Sequence, residues 1–516
     1  MKLNQRFAGC LLLWSVLPAG AQSIVEDTKL TTTDAASFDN FGASVGISGN
    51  IGIVGVPGDD DSAIDSGSAY LYELSTGQQL FKLRASDAES EDSFGAAVAI
   101  SGTRAIVGAP ILNSFNSESL GTAYLFDTTT GQELFRFVAS DASASDQFGS
   151  TVAISGSIAV VGAAGNDEGG SLSGSAYVFD TITGQQLFKL TASDAVAFDL
   201  FGQSVAVSGT LAIIGAAGND DAGSSSGSAY IFDTTTGQQL LKIAAIDAAE
   251  VNQFGYSVAI SGNRAVVGSI GDDDAGMNSG SAYIFDATTG QQLLKLTATD
   301  AMESDFFGES VAISGDIAVI GALNSEGVTT NTGTAFVFDI ATGEQILELT
   351  SSDGAMFDLF GTSVGISGNT IVAGAPRGDG KEGVDIGSAY VYYLGPIVDQ
   401  QPESIIVDAG VFASFSITLN DDSDADYQWR RDGVPLMDSL TVMGVNSAVL
   451  QVLGDEGAVG FYDCLITNPY GDVTSDTAIL AVRSDPDACV VDLNDDGALN
   501  FFDVSEFLLR FGMGCP

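Results

Sequence analysis

Phe41-Gly42-Ala43-Ser44-Val45-Gly46-Ile47-Ser48-Gly49-Asn50, running on into Ile51-Gly52-Ile53-Val54-Gly55, is the stretch that decides the fold. Its opening Phe-Gly pair returns at 94, 148, 201, 254, 307 and 360, at spacings of 53 or 54 residues. Self-similarity at a fixed period of this kind marks a repeat architecture, whose units bury their apolar faces by stacking on neighbours. Each unit holds four short apolar or alternating runs; in the second they are 97–101, 105–109, 123–127 and 133–138. Ser101-Gly102-Thr103 joins the first two, its glycine supplying the positive φ of a tight hairpin. Asp127-Thr128-Thr129-Thr130-Gly131 joins the last two and suits a type I turn closed by glycine. Four antiparallel strands linked by hairpins predict a propeller blade.

The ends of the array predict how the ring closes. The last unit supplies only three strands, at 363–367, 370–375 and 388–393, and then runs into Gly395-Pro396. Near the N-terminus, Thr28-Lys29-Leu30-Thr31-Thr32-Thr33-Asp34 matches Phe81-Lys82-Leu83-Arg84-Ala85-Ser86-Asp87 in register. The first segment is therefore expected as the missing fourth strand of the last blade, leaving no long open edge. The reading is all-β, with a seven-bladed propeller over 24–395.

Composition narrows the chemistry. The 516 residues carry 17 Lys plus Arg against 67 Asp plus Glu, a net charge of −50. Such a surface repels nucleic acid and anionic lipid, so no nucleic-acid partner is expected. It suits either salty, extracellular surroundings or divalent cations. Histidine is absent, which argues against zinc hydrolysis and Ser-His-Asp catalysis. Residues 1–21 read as a secretory signal peptide: a basic start with Lys2 and Arg6, an apolar run through Leu11–Leu17, and an Ala19-Gly20-Ala21 end. Cys10 would leave with it. No later run is long and apolar enough for a transmembrane span, so a protein secreted or held at the cell surface is expected.

The repeat resembles the FG-GAP family, found in integrin α-chains and in exported bacterial proteins. The Phe-Gly pairs carry the resemblance, with Gly55-Val56-Pro57, Gly108-Ala109-Pro110 and Gly374-Ala375-Pro376, and Gly-Ser-Ala-Tyr at 67–70, 174–177, 227–230, 280–283 and 387–390. It implies a propeller used for binding or adhesion, often with calcium in its loops.

Two acidic positions recur in each unit. The first is the pair ahead of each Phe-Gly: Asp34/Asp39, Asp87/Asp92, Asp141/Asp146, Asp194/Asp199, Asp247/Asn252, Asp300/Asp305 and Asp353/Asp358. These are expected to cap turns by accepting backbone N–H groups. The second lies between strands two and three: Asp59-Asp60-Asp61, Asn166-Asp167-Glu168, Asn219-Asp220-Asp221 and Asp272-Asp273-Asp274. Clustered carboxylates are hard oxygen ligands, so Asp59, Asp61, Asn166, Asp167, Asn219, Asp220, Asp272 and Asp274 are candidate Ca2+ ligands, with a solvated acidic rim as the alternative. The Asp-x-Asp-x-Asp-Gly loop of integrins is not present, and 112–119 and 324–332 have lost most of the acids.

Beyond Gly395 the period stops. Residues 397–483 carry Trp429 in Tyr427-Gln428-Trp429-Arg430 and Tyr462 two before Cys464. They resemble an immunoglobulin-like β-sandwich. Ile417 stands where the first cysteine would be, so Cys464 is expected as a buried free thiol, and Trp429 as core. Residues 485–516 contain Asp492-Leu493-Asn494-Asp495-Asp496-Gly497-Ala498-Leu499-Asn500-Phe501-Phe502-Asp503, an EF-hand-type spacing with glycine at position 6. This is similar to half of a dockerin. The resemblance implies Ca2+ held by Asp492, Asn494, Asp496, Asn500 and Asp503 with the Ala498 carbonyl, and it makes Cys489 and Cys515 candidates for a disulfide.

The functional expectation is an exported, non-catalytic binding or adhesion protein. Its propeller face would recognise an extracellular glycan or protein with calcium assistance, and its C-terminal unit would meet a cohesin-like or cell-surface anchor. The alternatives are a polysaccharide-active lyase or hydrolase, for which Arg104, Arg264 and Arg377 are the non-repeating basic residues, and a ligand-free structural envelope protein.

Overall fold

The computed structural model describes residues 22–483 apart from 33, 35, 111–119, 326, 328–330, 379–384, 397, 420–424 and 469–470. The expected signal peptide at 1–21, the candidate calcium loop at 492–503, and Cys489 and Cys515 all lie outside the described residues. The chain forms two compact units, 1–392 and 393–516.

The first unit contains seven four-stranded antiparallel arrangements, the blades of a propeller. The first blade runs Ser44–Ser48, Ile51–Val56, Ser68–Glu73 and Gln78–Leu83, and five more follow in the same order. In the seventh, Ser363–Ser367, Thr370–Ala375 and Ser388–Tyr393 are completed by Thr28–Leu30. Lys29 pairs with Tyr390 and Leu30 with Ala389, as Lys82 pairs with Tyr70 and Leu83 with Ala69 in the first blade. One pairing was not foreseen. Gln22–Val25 adds a fifth strand to the sixth blade, parallel to Glu344–Thr350.

The Phe-Gly pair holds neighbouring blades together. The Phe94 ring packs edge-on against Phe126 in its own blade and belongs to a cluster with Ile53, Leu71 and Leu83 of the preceding blade. Its N–H donates to the Ser66 carbonyl of that preceding blade. All seven of these phenylalanines are at most 1% exposed, and burying each contributes about 2–3 kcal/mol. Gly95 has φ +96, and a Cβ there would lie 2.3 Å from the Ser68 carbonyl oxygen. Gly55, of the Gly-x-Pro triplet, faces the Gly95 carbonyl so closely that a Cβ would lie 2.0 Å from it. The two glycines of the motif therefore form one contact, made across the blade junction.

The innermost strands are tied by a repeated bond. Ser44 Oγ donates to the Gly95 carbonyl at 2.8 Å, and Thr151, Ser204, Ser257 and Ser310 do the same toward their next blades. Ser363 Oγ donates to the Gly42 carbonyl at 2.9 Å, so the series passes from the last blade to the first. Ala97 breaks it in the second blade.

The second unit is described by itself. One sheet orders Ile405–Asp408, Ala478–Arg483, Gly460–Asn468, Asp426–Arg431 and Val434–Pro435; another orders Phe412–Ser416, Val449–Leu453 and Val442–Met443. Their shared core holds Phe415, Ile417, Trp429, Tyr462 and Cys464. Trp429 is fully buried, with Nε1 donating to the Ser447 carbonyl. Tyr462 Oη donates to the Ala458 carbonyl at 2.6 Å. Cys464 is a buried free thiol, and burial pushes its pKa up to about 12. No helix among the described residues is long and apolar enough to cross a membrane.

Candidate functional site: the acidic face of the propeller

The antiparallel blade order sends two sets of loops to the same end: the connections that enter each blade and the loops between its second and third strands. Both acidic positions lie there, and they fall into distinct roles.

In six of the seven units the later acid of the pair, two residues before Phe-Gly, caps its own turn. Asp39, Asp92, Asp146, Asp199, Asp305 and Asp358 each accept the N–H of the residue three positions earlier, at 2.7–2.9 Å. Burial raises the Asp39 carboxyl to about 6, against the pull of the Ala36 N–H and with added repulsion from Asp59 and Asp60.

The earlier acid of the pair meets a lysine and a tyrosine. Lys82 Nζ lies 2.8 Å from Asp34 and 2.6 Å from Asp59, and it also pairs with Asp61. The same ammonium sits 5.1 Å from the centre of the Tyr70 ring, whose Oη donates to Asp34. Lys189 joins Asp141 and Glu168 beside Tyr177, Lys242 joins Asp194 and Asp221 beside Tyr230, and Lys295 joins Asp247 and Asp274 beside Tyr283. Lys29 completes the set with Asp353 and Tyr390. In the second blade Arg136 takes the lysine position against Asp87. The sixth blade departs, with Phe336 for the tyrosine and Glu348 for the lysine. Burial works against the charge on Lys82, yet its bonds to Asp34, Asp59 and Asp61 outweigh this and raise its pKa. Burial likewise opposes ionisation of Asp34, but Lys82, Thr32 and Tyr70 hold it down at about 2.

The acidic triplets divide their work by position. Asp59, Asn166, Asn219 and Asp272 are buried, and each accepts the hydroxyl of the serine nine residues on. Asp60, Asp167, Asp220 and Asp273 each accept, at 2.7 Å, the N–H of the residue five positions later. Asp61, Glu168, Asp221 and Asp274 meet the lysine. Lys82 and Lys295 each gather three carboxylates, Lys295 taking Asp272 as well as Asp247 and Asp274; among the described residues only Asp34, Asp59 and Asp61 have oxygens all within 4.8 Å of one another. Calcium takes six to eight oxygens around one centre. Here Lys82 Nζ is bonded to all three carboxylates, so the group this cluster fits is an ammonium, and a divalent ion would have to displace it.

Sequence reading missed these lysines, although Lys82, Arg136, Lys189, Lys242 and Lys295 recur with the period of the repeat. It also missed an apolar component of the same face. Phe38, Val196, Phe198, Ile246, Val251, Met302, Met356 and Phe357 stand exposed on the entering connections, and Ile64 and Met277 on the neighbouring loops. Phe38, Phe198 and Phe357 all have φ +71. A bulky residue in that region is an outlier that costs free energy, and exposing its ring costs more. Of the three non-repeating arginines, Arg104 donates to Thr181 Oγ1 and Arg264 pairs with Asp286 within its own blade.

Comparison with known proteins agrees with the repeat. The sequence model of the FG-GAP repeat matches residues 24–72, 78–126, 132–179, 185–232, 238–285, 291–338 and 344–392. No curated protein matches the chain. Among solved structures, the titin M4 domain is 25% identical, covering 17% of this chain and 96% of its own, with a TM-score of 0.16. A chimeric titin Z1Z2 is 28% identical over 18% of this chain and 96% of its own, TM-score 0.16. The twitchin kinase region of C. elegans is 20% identical over 18% of each chain, TM-score 0.17. With seven matched segments, each spanning the last strand of one blade and the first three of the next, the chain belongs to the FG-GAP repeat family.

Proposed function

We propose that this chain is an exported, non-catalytic binding or adhesion protein that uses the acidic face of its propeller to hold an extracellular glycan or protein. The observation that carries this reading is the set of exposed apolar side chains, Phe38, Phe198 and Phe357 foremost, displayed among carboxylates on one end of a closed ring. Exposed apolar surface rimmed by polar groups marks interaction sites. Rings can stack on sugars or enter a partner's pockets, while the carboxylates select for hydroxyl or cationic groups.

The rest of the reading follows the chain. Residues 1–21 direct export. Residues 397–483 serve as an immunoglobulin-like spacer, supported by the buried Trp429 and by Tyr462 bonding back to Ala458. Residues 485–516 act as a dockerin-like anchor binding Ca2+ through Asp492, Asn494, Asp496, Asn500, Asp503 and the Ala498 carbonyl.

The test is size-exclusion chromatography of the full chain with a panel of extracellular polysaccharides and surface proteins, in calcium and in chelator. Co-elution that is lost in a Phe38→Ser, Phe198→Ser, Phe357→Ser triple variant supports the reading. Shortened polysaccharide would overturn it in favour of an enzyme, and no co-elution at all would leave the structural role.

A further inference from the structure

The repeat is least regular at one place near its axis. The residue after each Phe-Gly is Ala43, Ala96, Ser150, Gln203, Tyr256, Glu309 and Thr362 in turn. The flanking residues barely change. These seven positions open the innermost strands, which contact one another around the whole ring. Their side chains are half-buried, and none belongs to the apolar clusters between the blades next to them. Tyr256 Oη donates to Glu309 Oε1 at 3.3 Å, so at this junction the equivalent side chains of adjacent blades meet. Five consecutive blades thus present polar groups, and the two remaining blades present only methyl groups.

The polar groups are incompletely paired. Gln203 Oε1 and Ser150 Oγ are sealed from solvent without a hydrogen-bond partner. Thr362 Oγ1 spends its proton on the Leu359 carbonyl, and Tyr256 spends its own on Glu309. What remains is mostly acceptor lone pairs and one carboxylate. Burial raises Glu309 to about 7, eased only by the Tyr256 bond, and no cation of the described residues pairs with it. Elsewhere this fold repeatedly places a tyrosine beside a carboxylate, and five times it fills the place with a lysine ammonium. Tyr256 and Glu309 form the same pair with no lysine supplied.

We propose that Tyr256 and Glu309, on neighbouring innermost strands, form a site for a primary ammonium group. An ammonium offers donors and one positive charge to the Glu309 carboxylate and the Tyr256 hydroxyl oxygen, as Lys82 does to Asp34 beside Tyr70. A divalent metal would need more anionic oxygens than this pair has. The group comes either from a free amine or from a lysine side chain of a partner. The site uses none of the exposed apolar side chains and stands whether or not they bind a glycan.

The test is isothermal titration of the full chain with n-butylammonium at pH 8.5 and fixed ionic strength. Saturable binding is expected, weakened at least tenfold by Glu309→Gln and also weakened by Tyr256→Leu. Tetramethylammonium, which has no N–H, is expected not to compete. Equal binding by E309Q, equal competition by tetramethylammonium, or no saturable binding would each overturn the site; the first two are what diffuse attraction to a charge of −50 would produce. Nα-acetyl-lysine N-methylamide separates the sources. Tighter binding than butylammonium assigns a partner's lysine, and equal or weaker binding assigns a free amine.

Discussion

Lys29 Nζ stands 2.6 Å from Asp353 Oδ2, across 324 residues of sequence. The pair occupies the same place in the seventh blade that Lys82 and Asp34 occupy in the first, and it marks where the ring is clasped. Both side chains are partly exposed, so the pair itself is worth at most about 1 kcal/mol. Leu30 beside it is 1% exposed, and its truncation costs about 2–5 kcal/mol. Leu30→Ala is therefore expected to speed hydrogen exchange in Ser388–Tyr393 far more than Lys29→Ala does. Equal effects would mean that charge, not burial, holds the clasp.

Lys82 is the most enclosed of the described lysines, and Asp59 beside it is nearly fully buried. Lys82→Met removes the only cation that Asp59 meets among the described residues and leaves three converging carboxylates. Breaking a buried pair from one side costs about 3–5 kcal/mol, and the exposure of Asp34 and Asp61 puts this case below that range. The variant is expected to melt lower than the parent. Calcium is expected to recover part of the loss in the variant, with no comparable gain at this site in the parent. Melting curves in calcium and in chelator decide it.

Two opposite pH effects are built into the propeller. Asp34 is held at about 2, below its ordinary value, so its stabilisation is present above pH 4 and is lost as pH falls toward 2. Asp39 and Glu309 are raised to about 6 and about 7, so the folded state binds more protons than the unfolded one between pH 4 and 7. Stability from these two groups is full below pH 4 and declines as pH rises through that window. Glu309→Gln is expected to melt higher than the parent at pH 8 and to differ little at pH 4.5. A constant difference at both values would show that Glu309 does not titrate in this window.

The glycines differ sharply in what they tolerate. Gly102 has φ +56, and a Cβ added there would meet nothing within 4 Å, so Gly102→Ala carries only the left-handed penalty of about 1–2 kcal/mol. Gly95→Ala adds a clash with the Ser68 backbone, and several kcal/mol is expected. Limited proteolysis of the two variants measures the contrast directly.

Cys464 is sealed in the core of the second unit, and its thiol is pushed up to about 12 by burial. A thiol reagent at pH 8 is expected to leave it untouched in the folded protein and to modify it in denaturant. Prompt reaction under native conditions would contradict this core.

Much of this protein was legible in the sequence because a repeat states its rules many times over. The spacing of Phe-Gly, the Gly102 and Gly131 turns and the matching of Thr28–Leu30 to Phe81–Leu83 are local or periodic signals, and they sufficed for blade count, strand order and the clasp. The turn-capping role of Asp39 and its equivalents was readable for the same reason, since its bond spans three residues. What the carboxylates of Asp34, Asp59 and Asp61 hold was decided only in three dimensions, where 48 residues of chain separate Asp34 from the Lys82 that meets it. The parallel strand Gln22–Val25 was likewise invisible, because its partner Glu344–Thr350 lies in a different blade from the one the following strand completes. The pairing of Tyr256 with Glu309 depends on blade stacking: each looks like a single deviation in a repeat until neighbouring blades bring the two side chains together.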